Sequence, residues 1–500
     1  MKYANIKKMI EAVRENQGFD VVVIVSSNGN SKYWQWRLSL TRKEILSSKT
    51  KIISTEEKWE EGGAGQLLGT LHSFQEASKI VNLKKILSEG GTVAFYHTAG
   101  YGKRIAPLCG TEGNNKPAIK LPKPIKVEEK DSLFTILEAT LLSTQIYAKS
   151  RRGRICVFWG DQVIIPSEPV KIGIKMPVEM FGVRQKFNFA SKEWRRHWKN
   201  YGILITKKDG SILQREKLSW RQVKKLQERE NIVLDPKGRV ELMKSMGCFS
   251  MDVALLNALL KEFYKELELK KRKLDTDEHL WMPLTSTKRE YIDKGGSVIY
   301  WKRIKKFKTR FLKEGKKKMI LGAKDLGGKT LWWDYGNLAN YYKNNMILLE
   351  NSEQGKAARE FYNLEKNLIK KGKNDLKIKN SIIINSEIEK GEVKNSIVIN
   401  VKVKKIKAQK SILLYVKSKS INSKKSLIYN FDEEKGLKTI PNEVITDIFI
   451  SQGTKIRMRT SLLRDSKEDW TIRLPQNPFS YSEVERSLSG LAAGSFRYRL

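Results

Sequence analysis

The sequence contains few cysteines and histidines and no long apolar run. The three cysteines, Cys109, Cys156 and Cys248, lie too far apart for a paired metal site and are too few for a disulfide framework. The four histidines show no metal-type spacing either. No stretch approaches the ~20 consecutive apolar residues of a membrane helix, and no secretory apolar core follows the N-terminus. These absences predict a cytoplasmic protein without a membrane segment.

Negative charge is also scarce. The chain has 96 lysines and arginines against 55 aspartates and glutamates, which gives a net charge of +41. Such a balance invites a nucleic-acid partner. The excess is mostly lysine and is spread along the chain, whereas a nucleic-acid footprint usually concentrates on one element. We interpret the densest basic stretches, 270–273 and 301–318, as solvated faces or loops, and a nucleic-acid partner is not favoured.

Apolar runs alternate with helical periodicity in the first third of the chain. The 500 residues, 40% of them hydrophobic, suffice for two to four domains with a sizeable core. The alternation favours an α/β fold with a mostly parallel sheet and helices on both faces. We expect Asp131 or Ser132 to cap the last of the helices. The pattern predicts strands over 19–27, 50–55, 92–97 and 153–167, and helices over 69–87 and 131–150.

A repeat of fixed period begins near residue 375. Four serines recur at equal intervals, and a short apolar strand follows each: Ser381, Ser396, Ser411 and Ser426. Such a recurrence is typical of a solenoid, in which each rung buries its apolar face on the next. We therefore expect a small β-helix of 15-residue rungs over 375–455. The tail, 456–500, shows no clear pattern.

The stretch "HTAGYGKRIAPL" (97–108) directly follows a predicted strand. The absence of side chains at Gly100 and Gly102 lets backbone amides approach a phosphate closely. Arg104 can donate two parallel hydrogen bonds to phosphate oxygens, and Lys103 adds a point charge. The stretch is neither a Walker A loop nor a dinucleotide fingerprint. On its own it is compatible with a phosphate-binding loop and with a turn that carries two solvated charges.

The stretch "AGYGKRIAPL", followed by "NKPAIKL", resembles the signature of the sugar-1-phosphate nucleotidyltransferases. Ala99 and Lys103 stand where that family has glycine and threonine. The resemblance implies a Rossmann-like, GT-A-type catalytic domain in which Arg104 is catalytic and Lys116 lies near the reacting phosphate. It also implies that four loop residues bind the nucleotide: Ala99, Gly100, Gly102 and Lys103.

Later motifs of this family recur in order. "VFWGDQV" resembles the strand whose aspartate binds Mg²⁺, which implies a catalytic and metal-binding role for Asp161. "WWDYGNLANYY" resembles the segment with the second metal ligand, here Asp334. "YGILITKKDGSILQREKL" resembles the sugar-phosphate-binding segment, in which Asp209–Gly210 is the D-G pair. The resemblance implies that this segment binds the sugar phosphate through Gly202, Glu216 and Lys217.

The segments that precede the loop are similar to the fucose-1-phosphate guanylyltransferase branch, which also carries a β-helix after its catalytic domain. The similarity lies in a strand with "YWQWRL" (33–38) and in "EEGGAGQLLGTLHSFQEA" (60–77). It implies nucleotide-binding roles for Gly62, Gly63, Gly65 and Thr70, and a glycine-rich opening of a helix is also a physically suitable anion site. The alternative is a flexible loop with Thr70 as a helix cap.

Together, these motifs predict a catalytic domain over 1–365, with insertions near 170–200 and 262–300. The expected reaction is Mg²⁺-dependent transfer of a nucleotidyl group from a nucleoside triphosphate to a sugar 1-phosphate, with release of pyrophosphate. The alternatives are transfer to another phosphorylated polyol, or a non-catalytic basic scaffold for nucleic acid. An acyltransferase is disfavoured because the rungs contain no histidine. The nucleobase (with a slight preference for GTP), the sugar and the oligomeric state, including a homo-oligomer, stay open.

Overall fold

The computed structural model describes residues 3–15, 18–27, 29–60, 62–100, 102–170, 176–186, 201–207, 211–229, 241–364, 375–451 and 454–489. Most of the expected insertion at 170–200 and the pair Asp209–Gly210 lie outside these residues. The expected insertion at 262–300 forms a series of short helices between two longer ones.

The N-terminal part, up to residue 364, combines strands and helices. Its strands are β1 (Val21–Ser27), β2 (Lys51–Glu57), β3 (Thr92–His97), β4 (Lys120–Val127), β5 (Lys130–Thr135), β6 (Arg154–Trp159), β7 (Gln162–Ile165), β8 (Val178–Lys186), β9 (Gly202–Thr206), β10 (Ile212–Glu216), β11 (Glu241–Asp252), β12 (Leu321–Asp325) and β13 (Leu331–Asp334). Its helices are α1 (Tyr3–Glu15), α2 (Ser31–Ile45), α3 (Gly65–Ile80), α4 (Leu83–Ser88), α5 (Leu108–Thr111), α6 (Ile136–Thr144), α7 (Trp220–Arg229), α8 (Val253–Glu262), α9 (Tyr264–Leu269), α10 (Met282–Thr285), α11 (Lys288–Ile292), α12 (Val298–Glu314), α13 (Leu338–Met346) and α14 (Glu353–Tyr362).

The central sheet has the order β10-β9-β11-β6-β3-β1-β2. In addition, β8 pairs with β11, and β12 pairs with β8. Strands β2, β1, β3 and β6 pair in parallel, and β11 then runs antiparallel to β6, β8 and β9. All five residues of the apolar run 21–25 are fully buried, so β1 is covered on both faces. The expected α/β class is confirmed, with mixed and mostly parallel sheets. The carboxyl ends of β1 and β3 meet at one edge, where ligands of such sheets bind.

Two expectations about local structure are wrong, and two others are right only in type: the strand expected over 153–167 is divided into β6 and β7, and the helix expected over 69–87 into α3 and α4. "YWQWRL" is not a strand but part of α2, because buried side chains recur there at intervals of four, three and four residues: Trp34, Leu38, Thr41 and Ile45. That helical period outweighs the strand preference of aromatic residues. The second correction concerns 131–150, where β5 precedes the helix and the N-cap is Thr135 rather than Asp131 or Ser132. The Thr135 hydroxyl accepts from the Glu138 N–H at 3.2 Å, while the Glu138 carboxylate accepts from the Thr135 N–H.

A second sheet follows residue 375. Its strands are β14 (Leu376–Lys379), β15 (Ile382–Ile384), β16 (Glu387–Lys394), β17 (Ile397–Gln409), β18 (Ile412–Lys424), β19 (Leu427–Glu433), β20 (Leu437–Lys438), β21 (Glu443–Ser451) and β22 (Thr454–Ser461), and α15 (Tyr481–Ser489) comes after it. Strands β15, β17, β18 and β19 pair in parallel with the same register at each step, so Ile382, Ile397, Ile412 and Leu427 stack. The tail, for which we expected no pattern, contains most of β22 and the whole of α15.

Backbone corners repeat with the same period as the strands. Residues with a left-handed backbone recur in two series, namely Asn380, Asn395, Lys410 and Lys425, and Asn385, Asn400, Tyr415 and Asn430. Asparagine tolerates this conformation better than most residues. Each repeat therefore has two corners, and they turn the chain at the same two positions in every repeat.

The second sheet packs directly on the N-terminal part. The Tyr429 hydroxyl accepts from the Lys120 N–H at 2.9 Å and donates to the Glu112 carboxylate at 2.5 Å. The Lys120 ammonium lies 2.8 Å from the same carboxylate, and both side chains are mostly buried. Among the described residues, no helix combines the length and the apolar character needed to cross a membrane.

Candidate functional site

The loop after β3 lies at the carboxyl edge of the parallel strands. The Thr98 N–H donates to the Val25 carbonyl at 2.8 Å, and the Gly100 N–H donates to the Ser27 hydroxyl at 3.3 Å, which ties the loop to the end of β1. Gly100 and Gly102 both have positive φ, 122° and 63°. Ala99 and Lys103 are half-buried, whereas the Arg104 side chain is exposed.

Lys116 lies directly behind this loop. A β carbon at Gly102 would lie only 3.2 Å from the β carbon of Lys116, so the glycine permits the close approach. The Lys116 ammonium donates to the carboxylate of Asp161, which occupies the turn between β6 and β7. Both side chains retain about 15% of their exposure. The structure therefore brings these two predicted catalytic residues into contact.

Asp334 lies beside Asp161 because β13 pairs with β7. The register places Asp334 opposite Gln162, and the Tyr335 N–H donates to the Asp161 carbonyl at 3.0 Å. Burial and the negative charge of Asp161 raise the pKa of Asp334, while Lys116 and Arg104 oppose the rise. Four predicted residues thus share one electrostatic environment: Arg104, Lys116, Asp161 and Asp334.

Asp161 and Asp334 offer carboxylate oxygens, the type of ligand that Mg²⁺ prefers. No group of three or more His, Cys, Asp or Glu side chains in the described ranges is arranged to hold a metal ion. Two neighbouring carboxylates are a fitting set for Mg²⁺, which keeps several waters and binds substrate phosphates besides. A cation between Asp161 and Asp334 would also relieve their mutual repulsion.

Gly202 and Glu216 form a second group. They face each other across the β9–β10 pair, and a β carbon at Gly202 would lie 2.2 Å from Glu216 Oε1. Gln214 Nε2 donates to Glu216 Oε1 at 2.8 Å and to Asp277 Oδ1 at 3.1 Å. Burial raises the pKa of Glu216 to about 7, with Lys217 opposing the rise and Glu278 adding to it.

Two aromatic rings, those of Tyr201 and Trp332, pack on each other beside these residues. Tyr201, next to Gly202, packs on Trp332 with ring centroids 5.3 Å apart. Trp332 precedes Asp334 by two residues, and its Nε1 donates to Gln162 Oε1 at 3.0 Å. Because β13 pairs with β7 in a sheet of its own, the contact of Tyr201 with Trp332 joins that sheet to the β9–β10 pair of the central sheet.

The glycine-rich segment leads into helix α3. Helix α3 begins at Gly65, but its first amides are already occupied. The Gln66 N–H donates to Asp275 Oδ1 at 3.1 Å, and the Leu67 N–H donates to the Leu274 carbonyl at 3.1 Å. Gly65 has positive φ, and a β carbon there would lie 2.6 Å from the Leu274 carbonyl oxygen. These amides hold the protein's own chain, so they are not available to a phosphate in this conformation.

Thr70 lies beside a buried pair formed by His97 and Glu57. The Thr70 hydroxyl is not a helix cap but lies inside α3, 2.9 Å from His97 Nε2. His97 Nδ1 in turn lies 3.9 Å from Glu57 Oε1. Burial raises the pKa of Glu57 to about 7 and lowers that of His97 to about 4. Gly62 and Gly63 lie between the end of β2 and the start of α3. Both have positive φ, and Gly62 is exposed.

Two residues of the site were missed from the sequence, Gln214 and Asp277. Gln214 and Glu216 lie two apart on β10 and so share one face of the strand, a signal that could have identified the glutamine. Asp277 lies in the π-helical turn Asp277–Trp281, far away along the chain, and nothing in its sequence surroundings marks it.

Comparisons with known proteins give little further information. No family model matches the chain, and no curated protein matches it. Among solved structures, the crystal structure of HddC from Yersinia pseudotuberculosis shares 11% identity and covers 65% of this chain and 97% of its own, with a TM-score of 0.24. The structure of HddC complexed with GMP-PN gives the same identity and coverage with a TM-score of 0.23. At such scores the likeness carries no argument about this chain.

Proposed function

We propose that this protein transfers a nucleotidyl group from a nucleoside triphosphate to a sugar 1-phosphate and releases pyrophosphate, with Mg²⁺ as its cofactor. The observation that carries the proposal is the convergence of Arg104, Lys116, Asp161 and Asp334 behind a loop with two positive-φ glycines. These residues come from four separate segments of the sequence.

The reaction needs positioning and charge neutralisation more than a reactive side chain. An oxygen of the acceptor phosphate attacks the α-phosphorus, and the bond from that phosphorus to the oxygen bridging the α- and β-phosphates breaks. Pyrophosphate leaves with the bonding electron pair. Arg104 binds phosphate oxygens with its exposed guanidinium, while Lys116 neutralises charge near the α-phosphate. Asp161 and Asp334 would hold Mg²⁺, which supplies charge stabilisation to the phosphates.

The acceptor side consists of Gly202, Glu216 and Lys217. Gly202 leaves room for the Glu216 carboxylate, which accepts hydrogen bonds from sugar hydroxyls. Lys217 is exposed and adjoins that carboxylate, where it attracts the substrate's phosphate. Hydroxyl recognition by one carboxylate suits a sugar and suits another phosphorylated polyol equally, so both classes belong in the test.

The rest of the chain is consistent with this assignment. We infer that residues 375–455 close into a β-helix, because the strand register and both series of corners repeat with one common period. We also infer a reducing cytoplasm as the setting, since the three cysteines are unpaired and buried.

The test is a panel of the four nucleoside triphosphates against sugar 1-phosphates and polyol phosphates, with detection of pyrophosphate. We expect one combination to release pyrophosphate only with Mg²⁺ present. Asp161→Asn should lower kcat by at least about 10²–10³-fold, the usual cost of losing one charge-stabilising group. Its fold should be retained, as judged by circular dichroism.

The exposed Asp293 provides the matched control, and Asp293→Asn should leave turnover unchanged. Undiminished turnover in Asp161→Asn would overturn the proposal. Failure of every pair, combined with tight and steeply salt-dependent DNA or RNA binding that survives loss of both aspartates, would favour a nucleic-acid scaffold.

A further inference from the structure

One face of the second sheet carries lysines on its outer side. It is formed by β14, by the last four residues of β16, β17 and β18, and by β20, which pair in parallel with one register from 376–379 to 437–438. Side chains alternate between the two sides of a strand, and Val393, Ala408 and Ile421 point inward and are buried. The outward positions, which we call the lysine face, are Lys377, Lys379, Glu392, Lys394, Lys407, Gln409, Asn422, Lys424 and Lys438.

The lysine face has a strong excess of positive charge. Six of its nine positions are lysine and one is glutamate, and all six lysines except Lys394 are exposed. Within the described part of the chain, none of these six ammonium groups forms an ion pair, whereas Lys402 on the adjoining segment pairs with Glu387 at 2.8 Å. Neighbouring strands lie only about 4.8 Å apart, so the ammonium groups repel one another. A face of this kind attracts an anionic partner.

The N-terminal part does not use the lysine face. Ile382, Ile397 and Ile412, which follow the repeated serines, share a hydrophobic core with the N-terminal part. The inward residues behind the lysine face, such as Val393 and Ile421, belong to a separate core that the second sheet forms by itself. The exposed lysines on the other side of those strands therefore contribute to no contact with the candidate catalytic site.

The composition of the lysine face selects among anionic partners. It has no arginine, the residue that recognises nucleic-acid phosphates by paired hydrogen bonds, and no aromatic ring on which the bases of a single strand could stack. A lysine ammonium acts as a point charge and requires no particular orientation of the anion. Point charges spread over a sheet face suit a partner whose negative charge is spread over a plane, as in the headgroup layer of an anionic bilayer.

We propose that the lysine face binds the surface of an anionic lipid bilayer reversibly, by electrostatic attraction. The face offers no exposed apolar side chain that could enter the acyl region, so the protein lies on the headgroups. This binding involves neither Asp161 nor Asp334. It goes beyond the proposed function, and its test is independent of pyrophosphate release.

The first test measures co-sedimentation of the full-length protein with phosphatidylcholine vesicles that contain about one-third phosphatidylserine. We expect binding that weakens steeply as salt is added, because salt screens the attraction between exposed charges. Vesicles of phosphatidylcholine alone should not bind the protein. Absence of binding to the anionic vesicles, or binding that salt does not weaken, would overturn the proposal without any variant.

A triple variant locates the binding on the lysine face. Lys379→Gln/Lys407→Gln/Lys424→Gln removes three charges from three neighbouring strands of that face. It should weaken vesicle binding by about 10²-fold, equivalent to ~3 kcal/mol. The three side chains are exposed, so the unfolding temperature should match that of the wild type. Unchanged vesicle binding in this variant contradicts our inference.

The matched control removes the same charge from the adjoining segment of β17 and β18. There Glu387 and Asp432 share one row of the register with Lys417, so the segment is mixed in charge. Lys404→Gln/Lys417→Gln/Lys419→Gln should weaken vesicle binding by less than about 10-fold, because these lysines lie outside the lysine face. An equal loss in both triple variants would show that net charge alone is responsible, and the proposal would fail.

A competition experiment separates the bilayer from nucleic acid. Duplex DNA or RNA, added to the protein on anionic vesicles, should release it only when present in excess. Release by a substoichiometric amount, together with loss of nucleic-acid binding in Lys379→Gln/Lys407→Gln/Lys424→Gln, would assign the lysine face to nucleic acid and overturn the proposal.

Discussion

Gly102 is the residue on which the geometry behind the loop depends most directly. Its φ of 63° lies in the left-handed region, where a β carbon costs about 1–2 kcal/mol. The same β carbon would approach Cys109 Cβ to 3.1 Å and Lys116 Cβ to 3.2 Å, closer than side chains normally pack. A side chain at this position therefore displaces the lysine that contacts Asp161.

We expect Gly102→Ala to lower both stability and activity. Unfolding in urea should show a loss of about 1–2 kcal/mol, and kcat/KM for pyrophosphate release should fall at least about 10-fold, equivalent to ~1.4 kcal/mol of transition-state stabilisation. Gly90 has a φ of 81° and no atom within 4 Å of its missing β carbon, so Gly90→Ala is the control. The control should lose similar stability and keep its activity. Equal activities of the two variants would contradict this account.

The sequence predicted part of the site at the level of single residues. Asp161, Asp334 and Glu216 were identified by resemblance to motifs, and the structure places Asp334 beside Asp161 through the β7–β13 pair and Glu216 opposite Gly202 across the β9–β10 pair. Gln214 and Asp277 were missed because their contacts depend on the face of β10 and on a turn far away in the chain. Thr70 was expected to bind nucleotide, but a hydroxyl next to glycines carries no signal that α3 will bury it against His97.

The serine ladder of the second sheet shows how a repeated element is stabilised. The Ser411 hydroxyl donates to the Gln409 carbonyl at 3.0 Å and accepts from the Ser426 N–H at 3.3 Å. Ser396 does the same one repeat earlier, where its hydroxyl accepts from the Ser411 N–H at 3.1 Å. Each serine thus satisfies a backbone amide of the next repeat in a place where water cannot reach.

Replacing Ser411 by alanine should therefore lower the stability of the protein markedly, although it removes only one hydroxyl group. Ser411→Ala leaves the buried Ser426 amide without a partner, whereas the Gln409 carbonyl still accepts from the Lys425 N–H at 2.8 Å, and we expect a loss of about 1–3 kcal/mol in the free energy of unfolding. Ser39→Ala, on the exposed side of α2, should change it by less than about 0.5 kcal/mol. Equilibrium unfolding in urea measures both. A cost below that of the control would show that the ladder does not stabilise the sheet.

Elements with a strong pattern were predicted well, and elements whose composition and period disagree were not. The apolar runs at 19–27, 50–55 and 92–97 became strands with nearly the expected bounds, since only a buried strand suits such short runs. The period of the second sheet was visible because each repeat places the same residue types at the same register. The helix α2 was predicted as a strand because its aromatic residues favour strands. Its helical period is visible only once the buried residues are known.

The protonation of buried carboxylates affects the stability of the whole protein. Burial raises the pKa of Glu57 to about 7, with the charge of Asp275 adding to the rise, and the Ala64 N–H and Lys273 oppose it. In the unfolded chain this carboxyl titrates near 4.3. Between these two values the folded state binds more protons than the unfolded state, so the contribution of Glu57 to stability falls as pH rises through this window.

Glu57→Gln should remove this contribution. Other groups titrate in the same range, Glu216 in the same direction and His97 in the opposite one. We therefore compare differences: the free energy of unfolding of the wild type minus that of Glu57→Gln should fall from pH 5 to pH 7.5, by up to about 3 kcal/mol. The same difference for the exposed Glu389→Gln should stay flat. A difference that rises with pH would give the wrong sign for a buried, protonated Glu57.

The contact of Tyr429 with Lys120 and Glu112 bears on how the chain can be divided. Lys120 lies four residues after Lys116, and its ammonium and backbone amide are both satisfied where the second sheet packs on the N-terminal part. A chain shortened to end near residue 365 would lose the tyrosine hydroxyl and open a buried ion pair to water close to Lys116. The second sheet thus covers buried polar groups of the N-terminal part, so the two cannot be separated into independent modules without exposing those groups.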